Sequence, residues 1–447
     1  MTPAPETDRF RTLGNRVSWL LVPYVAVAQF ATLGTPIVKL VHPAVGITWL
    51  TYEAVVLLLL AAVSAPWLVR RRRELGRTAG FALLAFTALL LYAAVSAIVR
   101  PDPHVRINEE HWDVATPFLV APLLTAWLAM CAAVGLVLAA DRGRRLRVLA
   151  VAAATAIVCA FAAWPLHAAA TRSIRFSTGQ GGAAVIHVML LLIAALGVAC
   201  LLRVSGRRAR GLSLALVGAA LVGIVATQSR GALITLGVWA VLLLLGRIRR
   251  TEPTRERGRR VEVTGAGPRR WWPFVVGAGA LAVVGPLIPG ASRVLSLADP
   301  QRLSNLEVSM RLWAADPATI VFGTGPGGVW PWHFFESMTV HPKHYETPAG
   351  SVLGTPHSTP LAALVELGVV GAILLAAVLG AVALLALGAR TPSARWVVAA
   401  ALLASLVAFL FDTYLLRNFG IAVWWWAVVA LVATWPTTPP LSAPSEE

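Results

Sequence analysis

Long apolar runs recur along this chain from Val17 to Trp435, many of them 18 residues or more. A helix of about 20 apolar residues crosses the roughly 30 Å hydrocarbon core of a bilayer. It also satisfies its own backbone N–H and C=O groups, which lipid demands. The runs therefore predict an all-α polytopic membrane protein. The charge content agrees: 13% of the 447 residues are charged and 57% are hydrophobic, about half the charge of a soluble domain. A soluble enzyme, a fibrous protein and a disordered chain are excluded.

About twelve spans are expected, near 17–35, 45–69, 78–99, 117–140, 147–170, 184–203, 211–227, 231–246, 272–290, 360–388, 396–414 and 419–435. The polar start, Met1 to Arg16, precedes a run without a small-residue cleavage site, so the first span reads as retained and not as a signal peptide. With the N-terminus inside, the inner segments collect 27 of the 38 basic residues. That asymmetry is the positive-inside pattern and places both termini in the cytoplasm. The organisation expected is an N-terminal bundle over 1–290 with a basic inner loop at 247–270, a large extracytoplasmic loop over 291–359, three C-terminal spans over 360–435, and a Pro/Ser/Thr-rich disordered tail over 436–447.

The net charge of +17 comes mostly from Arg in short inner loops. It is topological, and no nucleic-acid partner is expected. The three cysteines, Cys131, Cys159 and Cys200, all lie inside apolar runs, so neither a disulfide framework nor a zinc site is predicted. The spans carry almost no mid-depth charge; Glu53, Glu366 and Asp412 fall near outer ends. Coupled transporters usually need a buried charge along their path, so attention moves to the outer face.

Connections of nearly 70 residues are rare unless they have a function, and 291–359 is that long. Asp299-Pro300 is a helix-starting pair, Leu303, Leu306, Met310 and Trp313 recur at helical spacing, and Asp316-Pro317 ends the run. An amphipathic helix is therefore expected at about 300–315. It bears Arg302 and Arg311. Glu307 sits four residues before Arg311, so a surface ion pair is the plainer role for that arginine. The turn Gly323-Thr324-Gly325 lets backbone N–H groups approach a ligand, although glycine turns are common. Arg230, in Thr227-Gln228-Ser229-Arg230-Gly231 between two runs, offers a guanidinium fork to phosphate oxygens or simply snorkels at the interface. His357 opens an apolar run and is placed to act as a general base or to be merely solvated. Arg175 belongs to a short outer loop with Gly179-Gln180-Gly181-Gly182, which also reads as simple anchoring.

These features together resemble the O-antigen ligase and O-antigen polymerase family. The matching stretches are Ser229-Arg230-Gly231, Arg311-Leu312-Trp313 with Pro317 and Gly323-Thr324-Gly325, and His357-Ser358-Thr359-Pro360-Leu361 with Glu366, Gly368 and Gly371. The Arg175-Phe176 to Gly182 loop looks like the family's earlier outer-loop signature. Asn is usual where Ser358 stands. The resemblance covers about 170 to 371 and implies a C-type glycosyltransferase architecture. It implies transfer of a glycan from undecaprenyl pyrophosphate to an acceptor sugar or lipid-glycan, on the outer face of the bacterial inner membrane, without metal or other cofactor. By the same resemblance Arg230 and Arg311 would grip the pyrophosphate and His357 would activate the acceptor hydroxyl. Arg175, Arg302, Gly323, Gly325 and Glu366 would help bind substrate.

Alternatives remain at this stage. A polymerase of the same family would carry the same site. A transporter or flippase of a lipid-linked intermediate would need a charged midplane path and internal repeats, and neither is visible. A metal-dependent transferase would use Glu109 and Glu110. His333, His341, His344 and His357 are close in sequence but fit no standard zinc spacing.

Overall fold

A computed structural model of the chain describes residues 5–30, 36–39, 48–99, 104–107, 110–113, 116–248, 300–333, 355–389 and 393–435. Helices dominate. They are α1 (Pro5–Ser18), α2 (Leu21–Phe30), α3 (Tyr52–Arg71), α4 (Gly76–Val99), α5 (Thr116–Ala139), α6 (Arg142–Thr171) and α7 (His187–Arg203). There follow α8 (Arg207–Ala226), α9 (Arg230–Ile248), α10 (Pro300–Trp313), α11 (Pro317–Phe322), α12 (Thr359–Leu387), α13 (Ser393–Ala408) and α14 (Phe419–Ala433). The purely helical expectation needs one amendment. Two short antiparallel hairpins, β1 (Pro36–Lys39) with β2 (Thr48–Thr51) and β3 (His104–Ile107) with β4 (Glu110–Asp113), cap connections between helices. Their backbone bonds close locally, as irregular chain beside a membrane requires.

Five helical stretches are long and apolar enough to cross a membrane: Tyr52–Val99, Leu119–Ala139, Arg142–Thr171, Arg207–Ala226 and Thr359–Leu387. Shorter apolar helices stand at His187–Arg203, Arg230–Gly246, Ala394–Ala408 and Phe419–Ala433. The protein is thus an integral, polytopic helical membrane protein. The expected span at 272–290, the basic loop beyond residue 248 and the tail lie outside the described residues. The expected first span, 17–35, is corrected: Val17 and Ser18 finish α1, and α2 is a separate ten-residue helix. Pro23 has no N–H to give to the Trp19 carbonyl, so that helical bond is missing at the break. The chain tightens there instead, with Leu20 N–H on Val17 O and Val22 N–H on Trp19 O, both 3.0 Å.

The centre of the bundle is α14 and α7. Every residue from Gly420 to Val432 is buried, as is every residue from His187 to Ala199. A helix apolar on all sides belongs inside. Trp425 donates to Ser405 Oγ at 2.9 Å, which satisfies one indole in this dry layer. Around the centre, α5 packs on α3 and α14, α4 on α12, α13 on α7 and α9, and α2 on α6.

At the end of the bundle where α3 and α5 finish and α6 begins, arginines cap helix ends. Arg71 Nη1 reaches the carbonyls of Leu138, Ala139 and Ala140 at 3.0, 3.5 and 3.2 Å. Arg145, 1% exposed, donates to Val137 O and Ala140 O at 3.1 Å and pairs with Glu74 at 2.9 Å. These are the orphan carbonyls of a helix C-terminus, where positive charge is favoured. The arginines read from sequence as topological signals thus also close the fold. Arg145→Ala is expected to lower stability by about 3 kcal/mol, because Glu74 loses a buried partner. Arg142→Ala, whose exposed arginine binds the same carboxylate at 3.0 Å, is expected to cost under about 1 kcal/mol. Thermal unfolding in detergent separates the two.

Candidate active site

The opposite end of α6 leads into a group of loops that converge. Among the described residues, four that are not glycine hold a positive φ: Arg172 (53°), Gln228 (49°), His357 (50°) and Leu415 (62°). This left-handed region is uncommon for residues with a Cβ and persists only where the surroundings enforce it. All four sit in the loops of this one end, each in a different connection.

Contacts tie those connections together. In the first, Arg175 Nε donates to Thr227 O at 2.9 Å and Phe176 N–H to Ala226 O at 2.9 Å. Arg175 thereby closes the C-terminal end of α8, directly beside the turn that carries Arg230. Arg230 opens α9, and the next residue, Gly231, lies against Phe411: a Cβ there would stand 3.2 Å from Phe411 Cβ. Phe411 is in turn covered by Arg302, whose guanidinium carbon is 5.6 Å from the ring centroid, a cation–π distance.

The connection between α13 and α14, residues 409–418, holds the acid of the group. Asp412 is bound to the start of α12 through its backbone: Thr359 Oγ1 donates to Asp412 O at 2.8 Å and receives Tyr414 N–H at 2.8 Å. Thr359 N–H reaches Phe409 O at 2.8 Å. Ser358 caps α12 by accepting from Leu361 N–H, as a serine at a helix N-terminus does. Burial raises the Asp412 carboxyl above its ordinary range; the Thr413 N–H and the charges of His357 and Arg302 pull it back. His357 and Arg302 therefore face the same carboxylate.

Of the residues expected from sequence, Arg175, Arg230, Arg302 and His357 belong to this constellation. Arg311 stands apart. It lies nine positions beyond Arg302, half a turn around the helix, on the other edge of the stripe formed by the buried residues Ser304, Val308 and Ser309. Its partner is Glu307, and the two side chains are 69% and 51% exposed.

The turn expected to let backbone N–H groups approach a ligand spends those groups on helix ends. Helix α12 is broken at Gly368, whose φ and ψ are 64° and −165°. The carbonyls freed by the break are met by this turn: Thr324 N–H binds Val365 O at 2.8 Å and Gly325 N–H binds Glu366 O at 2.9 Å. Gly323 N–H closes α11 on Thr319 O at 2.8 Å, and Tyr92 Oη donates to Leu367 O at 3.2 Å. The carboxylate of Glu366 binds Arg417 at 3.0 Å and accepts from the backbone of Gly327 and Val329. Gly323, Gly325 and Glu366 thus form a clamp between α11 and α12.

The Trp of Arg311-Leu312-Trp313 is also structural: its indole donates to Ile320 O at 3.1 Å. Asp316, expected only to end α10, starts α11 with a capping box shared with Thr319. Of the metal candidates, Glu109, His341 and His344 lie outside the described residues, and Glu110 is described only as strand backbone. His333 is buried. The three cysteines are free.

Sequence reasoning passed over Asp412 as a site residue. Its one signal is a lone acid at the outer end of an otherwise apolar stretch, and the partner that gives it meaning is 55 residues earlier.

Residues 215–376 match the family model described as O-antigen ligase. That stretch holds Arg230, Arg302, Arg311, the glycine clamp, His357 and Glu366; Arg175 and Asp412 fall on either side of it. No curated protein matches the chain.

Proposed function

We propose that this chain, which carries an O-antigen ligase family domain, is a glycosyltransferase that moves a glycan from a polyprenyl-pyrophosphate carrier, of the undecaprenyl type, to an acceptor sugar on the outer face of the bacterial inner membrane. The observation that carries the reading is the convergence of the Arg230-Gly231 turn, Arg302 and His357 on the loop of Phe411 and Asp412. The leaving group in such a transfer is a pyrophosphate. Guanidinium forks stabilise the charge that develops on it without a metal ion. Arg302 lies over Phe411, Arg230 precedes the glycine that packs on the same ring, and Arg311, held by Glu307 at the exposed edge of α10, completes the grip when the donor arrives. His357 takes the proton of the acceptor hydroxyl as its oxygen attacks the anomeric carbon. Asp412 is the positioning residue: its negative charge keeps the imidazole oriented and steadies the imidazolium that forms. Arg175 acts at one remove by fixing the turn that presents Arg230.

A polymerase would use the same groups, so the product separates the two outcomes. Purified protein in liposomes is given a polyprenyl-pyrophosphate glycan and a panel of acceptors, with and without EDTA. A single added block identifies a ligase, a ladder of lengths a polymerase, and persistence in EDTA supports the arginine and histidine chemistry. Activity abolished by EDTA and restored by a divalent cation would overturn it.

A further inference from the structure

At the opposite end of the bundle the run Arg70–Arg73, Glu74, Leu75, Gly76, Arg77 is folded so that its charges point two ways. Glu74 turns inward to Arg142 and Arg145. Arg72, Arg73 and Arg77 turn outward and are exposed. All three lie at one end of a groove of about 640 Å³ whose remaining wall includes Gly80, Leu84, Trp127 and Met130. Arg77 also heads a second groove of about 470 Å³, lined by Phe81, Gly380 and Leu384, where α4 passes α12. Neither groove has an acidic residue in its lining. A Cβ built on Gly80 or on Gly380 meets nothing within 4 Å, so both floors are open. Exposed apolar side chains alone would be ordinary on a membrane helix. Two concave apolar troughs meeting at a cluster of three cations are not explained by lipid contact in general.

We infer that α4 holds one anionic phospholipid, its phosphate among Arg72, Arg73 and Arg77 and its two acyl chains in the grooves on either side of the helix. Charge complementarity selects the headgroup, since each basic residue near a membrane surface contributes about 1 kcal/mol toward anionic lipid. The site is remote from the proposed transfer chemistry: α6, 30 residues long, separates the two ends by about 45 Å at 1.5 Å per residue. It stands whether or not the transfer reading does.

Native mass spectrometry of the delipidated full-length protein tests it. The protein is titrated with phosphatidylglycerol, with phosphatidylcholine of the same chains, and with inorganic phosphate. One phosphatidylglycerol is expected to bind about a hundredfold more tightly than phosphatidylcholine, with phosphate alone too weak to be retained. The combined variant Arg72→Gln, Arg73→Gln, Arg77→Gln is expected to erase that preference; these side chains are exposed, so the fold is not at stake. Gly80→Phe, which fills the groove and leaves the arginines, is expected to weaken phosphatidylglycerol at least about tenfold. Equal binding of the two lipids by the unaltered protein, phosphate binding as tight as the lipid, or a preference that survives the triple variant would overturn the assignment.

Discussion

His357→Ala is expected to lower glycan transfer by roughly 10²–10⁴-fold, the usual contribution of a positioned general base, with the protein still inserted and folded. Asp412→Asn is expected to follow it closely, because an amide keeps the shape of the carboxylate and removes the charge that faces the imidazole. The pH profile distinguishes this from mere disruption. Burial raises the Asp412 carboxyl, so protonation begins above the ordinary carboxylate range. Transfer should therefore fall as the pH drops through that raised value, and the part of the acid limb that Asp412 contributes should be lost in Asp412→Asn, leaving a lower rate that still requires an unprotonated base at position 357. For the cations, Arg302→Ala and Arg311→Ala are each expected to cost about 10²–10³-fold, the effect of removing one preorganised donor to a developing anion. Glu307→Ala supplies the contrast. If Arg311 serves only its surface ion pair, then Arg311→Ala and Glu307→Ala behave alike; if it reaches the donor, only the arginine variant loses transfer. Transfer at full rate in both His357→Ala and Arg311→Ala sinks the site assignment. All are read as initial rates in the reconstituted assay.

Much of this architecture is legible in the sequence because lipid leaves few choices. Apart from 17–35, which divides, and the start of 45–69, which is β2, the expected spans that the structure describes coincide with helices, and five stretches are long and apolar enough to cross a membrane, where a helix satisfies its own backbone. The helix at 300–315 was readable from the period of Leu303, Leu306, Met310 and Trp313, but the face it buries is Ser304, Asn305, Val308 and Ser309, while Leu303, Leu306 and Met310 stay exposed. What sequence could not show is which partner each polar group finds. Arg302 and Arg311 sit on one short helix and look equivalent in a string of letters, yet one covers Phe411 and the other holds Glu307. Asp412 looked like an interfacial acid because Thr359 and His357, which give it a place, come from another helix. The glycines misled in the opposite direction. Gly323 and Gly325 suggest a ligand cradle, but the Gly323 amide closes α11 and the Gly325 amide binds a carbonyl of the broken α12, a break that no local pattern announces. The first span failed for a smaller cause, a single proline two residues into α2.

The break in α12 leads to the second large effect. Gly368→Ala is expected to destabilise the protein by about 4 kcal/mol or more, enough to remove most of it from the folded, membrane-inserted pool. Two costs combine. The backbone at Gly368, φ 64° and ψ −165°, lies in a region essentially reserved for glycine, where another residue costs about 1–3 kcal/mol. A Cβ there would also stand 2.3 Å from Val321 O and 2.4 Å from Gly323 N, which are backbone atoms that cannot rotate aside. Gly323→Ala meets the reciprocal problem, with φ 76° and its Cβ 2.4 Å from the Gly368 nitrogen. Because both changes push apart the same two strands of backbone, the double variant should cost less than the two single effects added, the mark of residues that share one contact. Gly218→Ala is the control: that glycine lies within α8 with nothing near its Cβ, and alanine there should stabilise by up to about 1 kcal/mol through helix propensity. Thermal unfolding in detergent, scored by the fraction that stays monodisperse, reads all four proteins. If Gly368→Ala unfolds with the unaltered chain, the clamp between α11 and α12 is not what holds His357 and the helix it opens against the Asp412 loop.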